Sequence, residues 1–192
     1  MNIVNVGYDS TNYYVIADTL PRLLVDVGWP GTLPKLRHAC ERVGIALPDI
    51  KYLLVTHYHP DHAGLAQELK RTGTKLIVAV TQVAAIPILR TYMKPEHNYA
   101  DIDPAGNVVL SLEESRDFLA SIGISGEIIS TPGHSDDSIT LVLDDGPAFT
   151  GDLTPLMAAP EDKESVIRDS WEKIRSLGSK TIYPGHGPVG YI

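Results

Sequence analysis

Short apolar runs rich in branched and aromatic residues punctuate the chain, each closing on a glycine, a proline or a polar turn. Runs of this length between turn residues predict strands. They fall at Ile3–Val6, Tyr13–Ile16, Leu23–Val27, Tyr52–Thr56, Lys75–Val80, Glu127–Ser130, Ser138–Leu143, Ala148–Thr150 and Lys180–Tyr183. Elsewhere the apolar spacing lengthens to that of helices. Leu33–Val43 follows Thr32 as cap, carries Pro34 in its first turn and stops at Gly44. His62–Arg71 ends at Gly73, Leu112–Ile122 opens on the capping-box pair Ser111 and Glu114, and Ser165–Leu177 ends at Gly178. A short helix over Thr81–Leu89 is broken or kinked at Pro87. Met93–Asn107 has no period and holds Pro95, Pro104 and Gly106, which predicts a long loop of the kind that often serves function. With 192 residues and no linker, repeat or low-complexity tract, the expectation is a single domain over residues 1–192.

Composition narrows the class. Hydrophobic residues at 43% and charged residues at 21% exclude disordered and collagen-like chains. A net charge of −8 lacks the basic footprint of a general nucleic-acid binder, so no nucleic-acid partner is expected, although a local metal-based phosphodiester site stays compatible with it. The lone Cys40, in a predicted helix, excludes a disulfide framework and a multi-cysteine zinc site and reads as a packing residue. Met1–Asp18 shows neither the basic start nor the apolar stretch of a targeting segment. The most apolar window, Leu76–Leu89, is interrupted by Thr81, Gln82 and Pro87 and is shorter than the roughly 20 residues that span a bilayer. These features predict a cytoplasmic protein with no membrane partner.

The histidines carry the chemistry. His57, His59 and His62 crowd into Thr56-His57-Tyr58-His59-Pro60-Asp61-His62, His134 follows Pro132-Gly133, and His186 follows Pro184-Gly185. Asp152 follows Gly151 in the same way. Four times a short apolar strand ends and a metal-binding residue type comes within a few positions. Strand ends side by side would gather these groups at one rim. Imidazole and carboxylate suit Zn²⁺, and also Fe, Mn or Co. Five histidines and two aspartates exceed the ligands of one tetrahedral ion and fit two ions sharing a carboxylate. His134 can complete a first ion with His57 and His59, His186 a second with Asp61 and His62, and Asp152 can bridge. Two divalent ions against two aspartates and a hydroxide leave the centre net positive. It can then hold a hydroxide near neutral pH, since zinc lowers the pKa of bound water to about 7.

These residues in this order resemble the metallo-β-lactamase-fold hydrolase superfamily. The resemblance rests on Asp26-Val27-Gly28 after a strand, His57-x-His59-x-Asp61-His62, His134, Asp152 and His186, and spans most of the chain. It implies an α/β fold, the αβ/βα sandwich of two mixed sheets with helices outside and metals at one edge. It implies two divalent ions, zinc first, with iron or manganese as alternatives. His57, His59 and His134 would hold one ion, Asp61, His62 and His186 the other, and Asp152 would bridge. The implied activity is hydrolysis of an ester, thioester or lactone of a small-molecule substrate by the bridging hydroxide, with Asp61 also catalytic as proton acceptor. Ile192 follows His186 so closely that the helical glutathione-binding region of the longer glyoxalase II enzymes is not expected.

Other readings stand beside this one. A mononuclear iron persulfide dioxygenase would use His57, His134 and Asp152. A closed structural metal site would turn nothing over. Asp26 is either an Asx-type turn residue or an orienter of a ligating imidazole. Tyr183 reads as packing rather than a substrate contact, and His38 and His97 as surface residues. Met93–Asn107, with His97 in it, is expected to wall the substrate pocket.

Overall fold

The computed structural model describes residues 2–18 and 20–192; Met1 and Thr19 lie outside the described residues. Eleven strands form two mixed sheets among them. The first has the order β1 (Ile3–Asn5), β2 (Tyr14–Ile16), β3 (Arg22–Val25), β4 (Ile50–Leu54), β5 (Lys75–Ala79), β6 (Val108–Leu110). In it β2 pairs antiparallel with both β1 and β3, and β3 to β6 run parallel. The second has the order β11 (Gly190–Tyr191), β10 (Thr181–Pro184), β9 (Pro147–Gly151), β8 (Ile139–Leu143), β7 (Gly126–Ser130). Only β9 and β10 pair in parallel there.

The apolar runs are continuous because both faces of each sheet are covered. Leu23, Val25, Leu54, Ile77, Leu141 and Phe149 fill the space between the sheets. Their neighbours Leu24, Leu53, Val55, Leu76 and Val78 point the other way, onto Leu36 and Cys40 of α1 (Leu33–Arg42) and Leu65, Ala66 and Leu69. Val142, Ala148 and Ile182 point outward from the second sheet onto Ile167, Trp171 and Ile174 of a C-terminal helix, Glu164–Ser176. The layers are therefore helix, sheet, sheet, helix: the α/β sandwich the resemblance implies. Period-two alternation along a strand sets which side chain faces which layer. Among the described residues no helix is long and apolar enough to cross a membrane.

Two expectations need correction. The helix expected at His62–Arg71 is two short helices, α2 (Pro60–Ala63) and α3 (Ala66–Lys70). Val27 N–H takes the carbonyl of His62 at 3.0 Å and Leu65 N–H donates to Gly28 at 2.7 Å, so tertiary backbone bonds replace a helical turn. Thr81–Leu89 consists of 3₁₀ turns at Val80–Gln82 and Ile86–Tyr92, with Pro87 in the first turn of the second. The loop Met93–Asn107 is pinned beside α3: Lys70 Nζ donates to Asp103 O, Ala105 O and Asn107 Oδ1, and Arg90 grips Asp101 at 2.6 and 2.7 Å. The capping box forms as expected, Ser111 N–H reaching Glu114 Oε2 at 2.8 Å, just ahead of α4 (Ser115–Ser121). The strands β6 and β11 were too short to read from pattern.

Candidate metal centre

The C-terminal end of β4 in one sheet and those of β7, β9 and β10 in the other lead into the loops that carry the histidines and Asp152. His57 Nε2 lies 3.1 Å from His59 Nδ1, and His134 Nε2 lies 3.0 Å from the same atom. Beside them, His62 Nε2 stands 3.3 Å from Asp152 Oδ1 and 3.6 Å from Asp61 Oδ2. His186 Nε2 stands 3.2 Å from Asp61 Oδ2 and 3.5 Å from Asp152 Oδ2. All seven sequence-predicted residues come together, in three overlapping clusters: His57, His59, His134; His57, His62, Asp152; and Asp61, His62, His186.

Two glycines make this approach possible. Gly185 passes so close to Asp152 Oδ1 and His62 Cε1 that no Cβ fits. Gly151 turns at φ +53° against Thr56 and His57, a left-handed conformation costly for residues with a Cβ.

The outward nitrogens are fixed by hydrogen bonds. Thr56 Oγ1 gives its proton to Asp26 Oδ2 at 2.8 Å and so accepts from His57 Nδ1 at 3.2 Å. His62 Nδ1 donates to Asp26 Oδ2 at 2.9 Å, and His186 Nδ1 donates to Ser10 O at 2.6 Å. A neutral imidazole has one N–H, so the Nε2 lone pairs of all three turn inward. His62 Nε2 and Asp152 Oδ1 face each other fully buried, with no hydrogen-bond partner among the described residues. A lone pair set against a carboxylate repels it, unless a proton or a cation lies between. Nitrogen and oxygen donors in this arrangement fit borderline divalent ions such as Zn²⁺.

The proton affinities say the same. Burial, then the crowding by His62, His134 and His59, holds His57 well below the usual histidine range. Burial also lowers His134. Burial opposes protonation of His62, but Asp26 and Asp152 outweigh it and push its pKa up to about 10. Burial opposes ionisation of Asp152, yet His62, His186 and His134 hold its carboxyl below the usual range. Positive charge is thus favoured between the carboxylates and disfavoured on the imidazoles around His57.

Asp26 is the orienter, not merely a turn residue. It adopts φ +62°, an unusual conformation that Asp tolerates better than most. Its carboxylate accepts from Thr56 N at 2.7 Å as well as from Thr56 Oγ1 and His62. Tyr183 packs against Tyr14 and Phe149, with ring centroids 5.3 and 5.1 Å away.

Several contributing residues carried no motif. Thr11 Oγ1 donates to Asp61 Oδ2 at 3.1 Å, and Asn12 Nδ2 donates to Pro184 O and Gly187 O around His186. Buried Gln82 donates to Val55 O at 3.0 Å, Thr56 O at 3.3 Å and Asp137 O at 3.2 Å. Asp137 itself accepts from Tyr58 N at 2.8 Å. Only the polarity of Gln82 within an apolar stretch hinted at its role.

The pocket wall also differs from expectation. A cleft of about 510 Å³ opens on His59 and His134, walled by Ala84, Ala85, Ile88 and Tyr92 on one side and by Asp136 and Lys163 on the other. Met93–Asn107 is absent from it, because its ties to Lys70 and Arg90 hold it elsewhere. His97 packs on Trp29, with ring centroids 5.1 Å apart.

Comparison with known proteins agrees with this geometry. The chain is 32% identical over 178 residues to a hydroxyacylglutathione hydrolase of Rhodopseudomonas palustris, covering 90% of this chain and 61% of that protein. It is 32% identical over 187 residues to an atrochrysone carboxyl ACP thioesterase of Aspergillus fumigatus, covering 93% and 51% respectively. The chain therefore spans between half and about six-tenths of the length of these relatives. A metallo-beta-lactamase family protein of Thermus thermophilus has the same fold, with a TM-score of 0.73 over 98% of this chain and 73% of that one, at 19% identity. The family model described as the metallo-beta-lactamase superfamily matches residues 6–186, and the chain belongs to that superfamily.

Proposed function

We propose that the chain, as a single domain, is a metal-dependent hydrolase that cleaves an ester, thioester or lactone of a small-molecule substrate. His57, His59 and His134 would hold one divalent ion, and Asp61, His62 and His186 a second, with Asp152 shared and zinc the best-fitting metal. When bound, two such ions supply an acidified water and a Lewis acid for the carbonyl oxygen. The chain's own groups do the rest. Asp26 and Ser10 hold His62 and His186 with their Nε2 lone pairs inward. Asp61 takes the proton of the attacking water on its carboxylate and returns it to the leaving sulfur or oxygen. The new bond is carbon to water oxygen and the broken one carbon to sulfur or ester oxygen; a thioester or ester gives an acid and a thiol or alcohol, and a lactone gives one hydroxy acid.

The observation that carries this reading is the buried, unpartnered facing of His62 Nε2 and Asp152 Oδ1 beside three converged imidazoles. The names of the thioesterase and hydroxyacylglutathione hydrolase relatives support the reaction class. Elemental analysis of the purified protein should give close to two ions per chain, and Asp152→Ala should lose most activity toward a panel of thioesters, esters and lactones. A metal-free protein of full activity would falsify the proposal. Oxygen uptake with a persulfide, without hydrolysis, would replace it with the single-iron reaction.

A further inference from the structure

Resting on that reading, we propose that the cleft beside His59 and His134 binds an apolar acyl group, seated against Ile88 and Tyr92. In the 3₁₀ turn Ile86–Tyr92, Leu89 is fully buried against the first sheet's outer layer. Ile88 and Tyr92 are left 49% and 48% exposed, both lining the same cleft. Single exposed apolar residues need no explanation, but a neighbouring pair walling a concavity at reactive groups does. The Tyr92 ring sits 5.3 Å from the ring of His59, so the apolar wall reaches the candidate metal ligands. Ala84 and Ala85 continue that wall with side chains too small to fill it. Across the gap Lys163 donates to Gly133 O at 3.3 Å, which ties it to the His134 loop. Asp136 and Lys163 on that side are exposed and keep their hydration, which leaves the Ile88 and Tyr92 wall for an apolar group. Concave, largely preformed sites with one apolar wall are the usual form of small-molecule pockets.

The segment carrying this wall is also bonded to the ligand loops. Gln82, just ahead of it, holds Val55, Thr56 and Asp137 through one amide. An acyl group on Ile88 and Tyr92 is thus positioned relative to His57 and His134 by covalent neighbours of the wall itself.

The test uses the metal-loaded protein with acetyl, butyryl, hexanoyl and octanoyl thioesters of one small thiol. Expected is a rise in kcat/KM of about twofold per added methylene, half of what complete burial gives, because the cleft is open on one side. Ile88→Asn should flatten that slope, and Ala84→Trp should cut it off beyond the short chains. Calorimetric titration with hexanoate and acetate is the second measurement. Tighter hexanoate binding in the wild type but not in Ile88→Asn supports the cleft assignment even if no thioester is cleaved, in which case the hydrolase reading alone fails. Thioester turnover with no dependence on chain length, or a dependence and a hexanoate preference that survive Ile88→Asn, overturns it while leaving hydrolysis standing. Absence of both turnover and hexanoate preference overturns both.

Discussion

The two halves of the candidate centre are built differently. His57, His59 and His134 sit on loops that are sewn to each other: Ile139 N–H reaches Thr56 O at 2.9 Å, Tyr58 N–H reaches Asp137, and Gln82 bonds both loops at once. His57 is 1% exposed. Of Asp61, His62 and His186 only His62 is fully buried, and the His186 loop is tied instead to Asn12 and, through Gly185 N–H, to Gly151 O. Side-chain exposure of His186 is 40%, and its outward nitrogen is held by Ser10, far away in sequence on the loop between β1 and β2. Asp61 depends on Thr11 of the same loop. Hydrogen bonds near solvent open at lower cost than bonds inside a packed frame. The comparison teaches that one fold can gather two clusters of similar donor chemistry and unequal exposure, and that the more exposed one is tied to a loop distant in sequence.

The strongest way to break the comparison is to remove the carboxylate that orients a histidine in each half. Asp26 orders Thr56, which in turn orders His57, and it also orders His62 directly. Asp26→Ala strands buried donors on both and should cost about 2–5 kcal/mol of unfolding free energy, read by urea denaturation. Both ions should be lost in calorimetric titration. A loss confined to one ion would show that Asp26 serves a single half.

A smaller and more selective effect is expected from Gln82→Leu. It keeps the volume of the buried side chain but removes the donors to Val55, Thr56 and Asp137. A stability loss of about 1–3 kcal/mol should accompany a weaker first ion, with the second little changed. Equal weakening of both would mean that the two halves are one mechanical unit.

How much of this could be read from the residues depended on whether the signal was local. The strands from Tyr52, Lys75, Ser138 and Ala148 were legible because burial on both faces writes an unbroken apolar run, and β6 and β11 were not, because two or three residues carry no pattern. The gathering of the seven histidine and aspartate side chains was legible because His57, His134, Asp152 and His186 each follow a strand end closely, and His59, Asp61 and His62 come within five residues of the first. Thr11, Asn12 and Gln82 were not, since a threonine, an asparagine or a glutamine acquires its role only through partners brought near by the fold. The helix at His62–Arg71 failed for a related reason: the bonds that divide it come from Val27 and Gly28. The expectation for Met93–Asn107 failed because loop length alone says nothing about which side of the sheet a loop crosses.

The finest test of the two halves is Thr11→Val. Valine keeps the shape of threonine and removes the hydroxyl that Asp61 Oδ2 accepts from, and Thr11 is 5% exposed, so little else should move. Loss of a partner that orients a ligating group typically weakens a metal by about 10–100-fold, and a single 3.1 Å bond to one carboxylate oxygen belongs at the low end. Chelator competition should therefore resolve two affinities in the wild type and shift only the weaker by about tenfold in the variant. Thr11→Ser is the discriminating companion. Serine restores the hydroxyl without the methyl and should recover the second affinity, whereas a loss that persists in serine would trace the effect to packing of the loop and remove Thr11 from the site. A shift of the tighter affinity in Thr11→Val would instead mean that the N-terminal loop governs the His57, His59 and His134 half, and the contrast between a framed and a clasped site would have to be reversed.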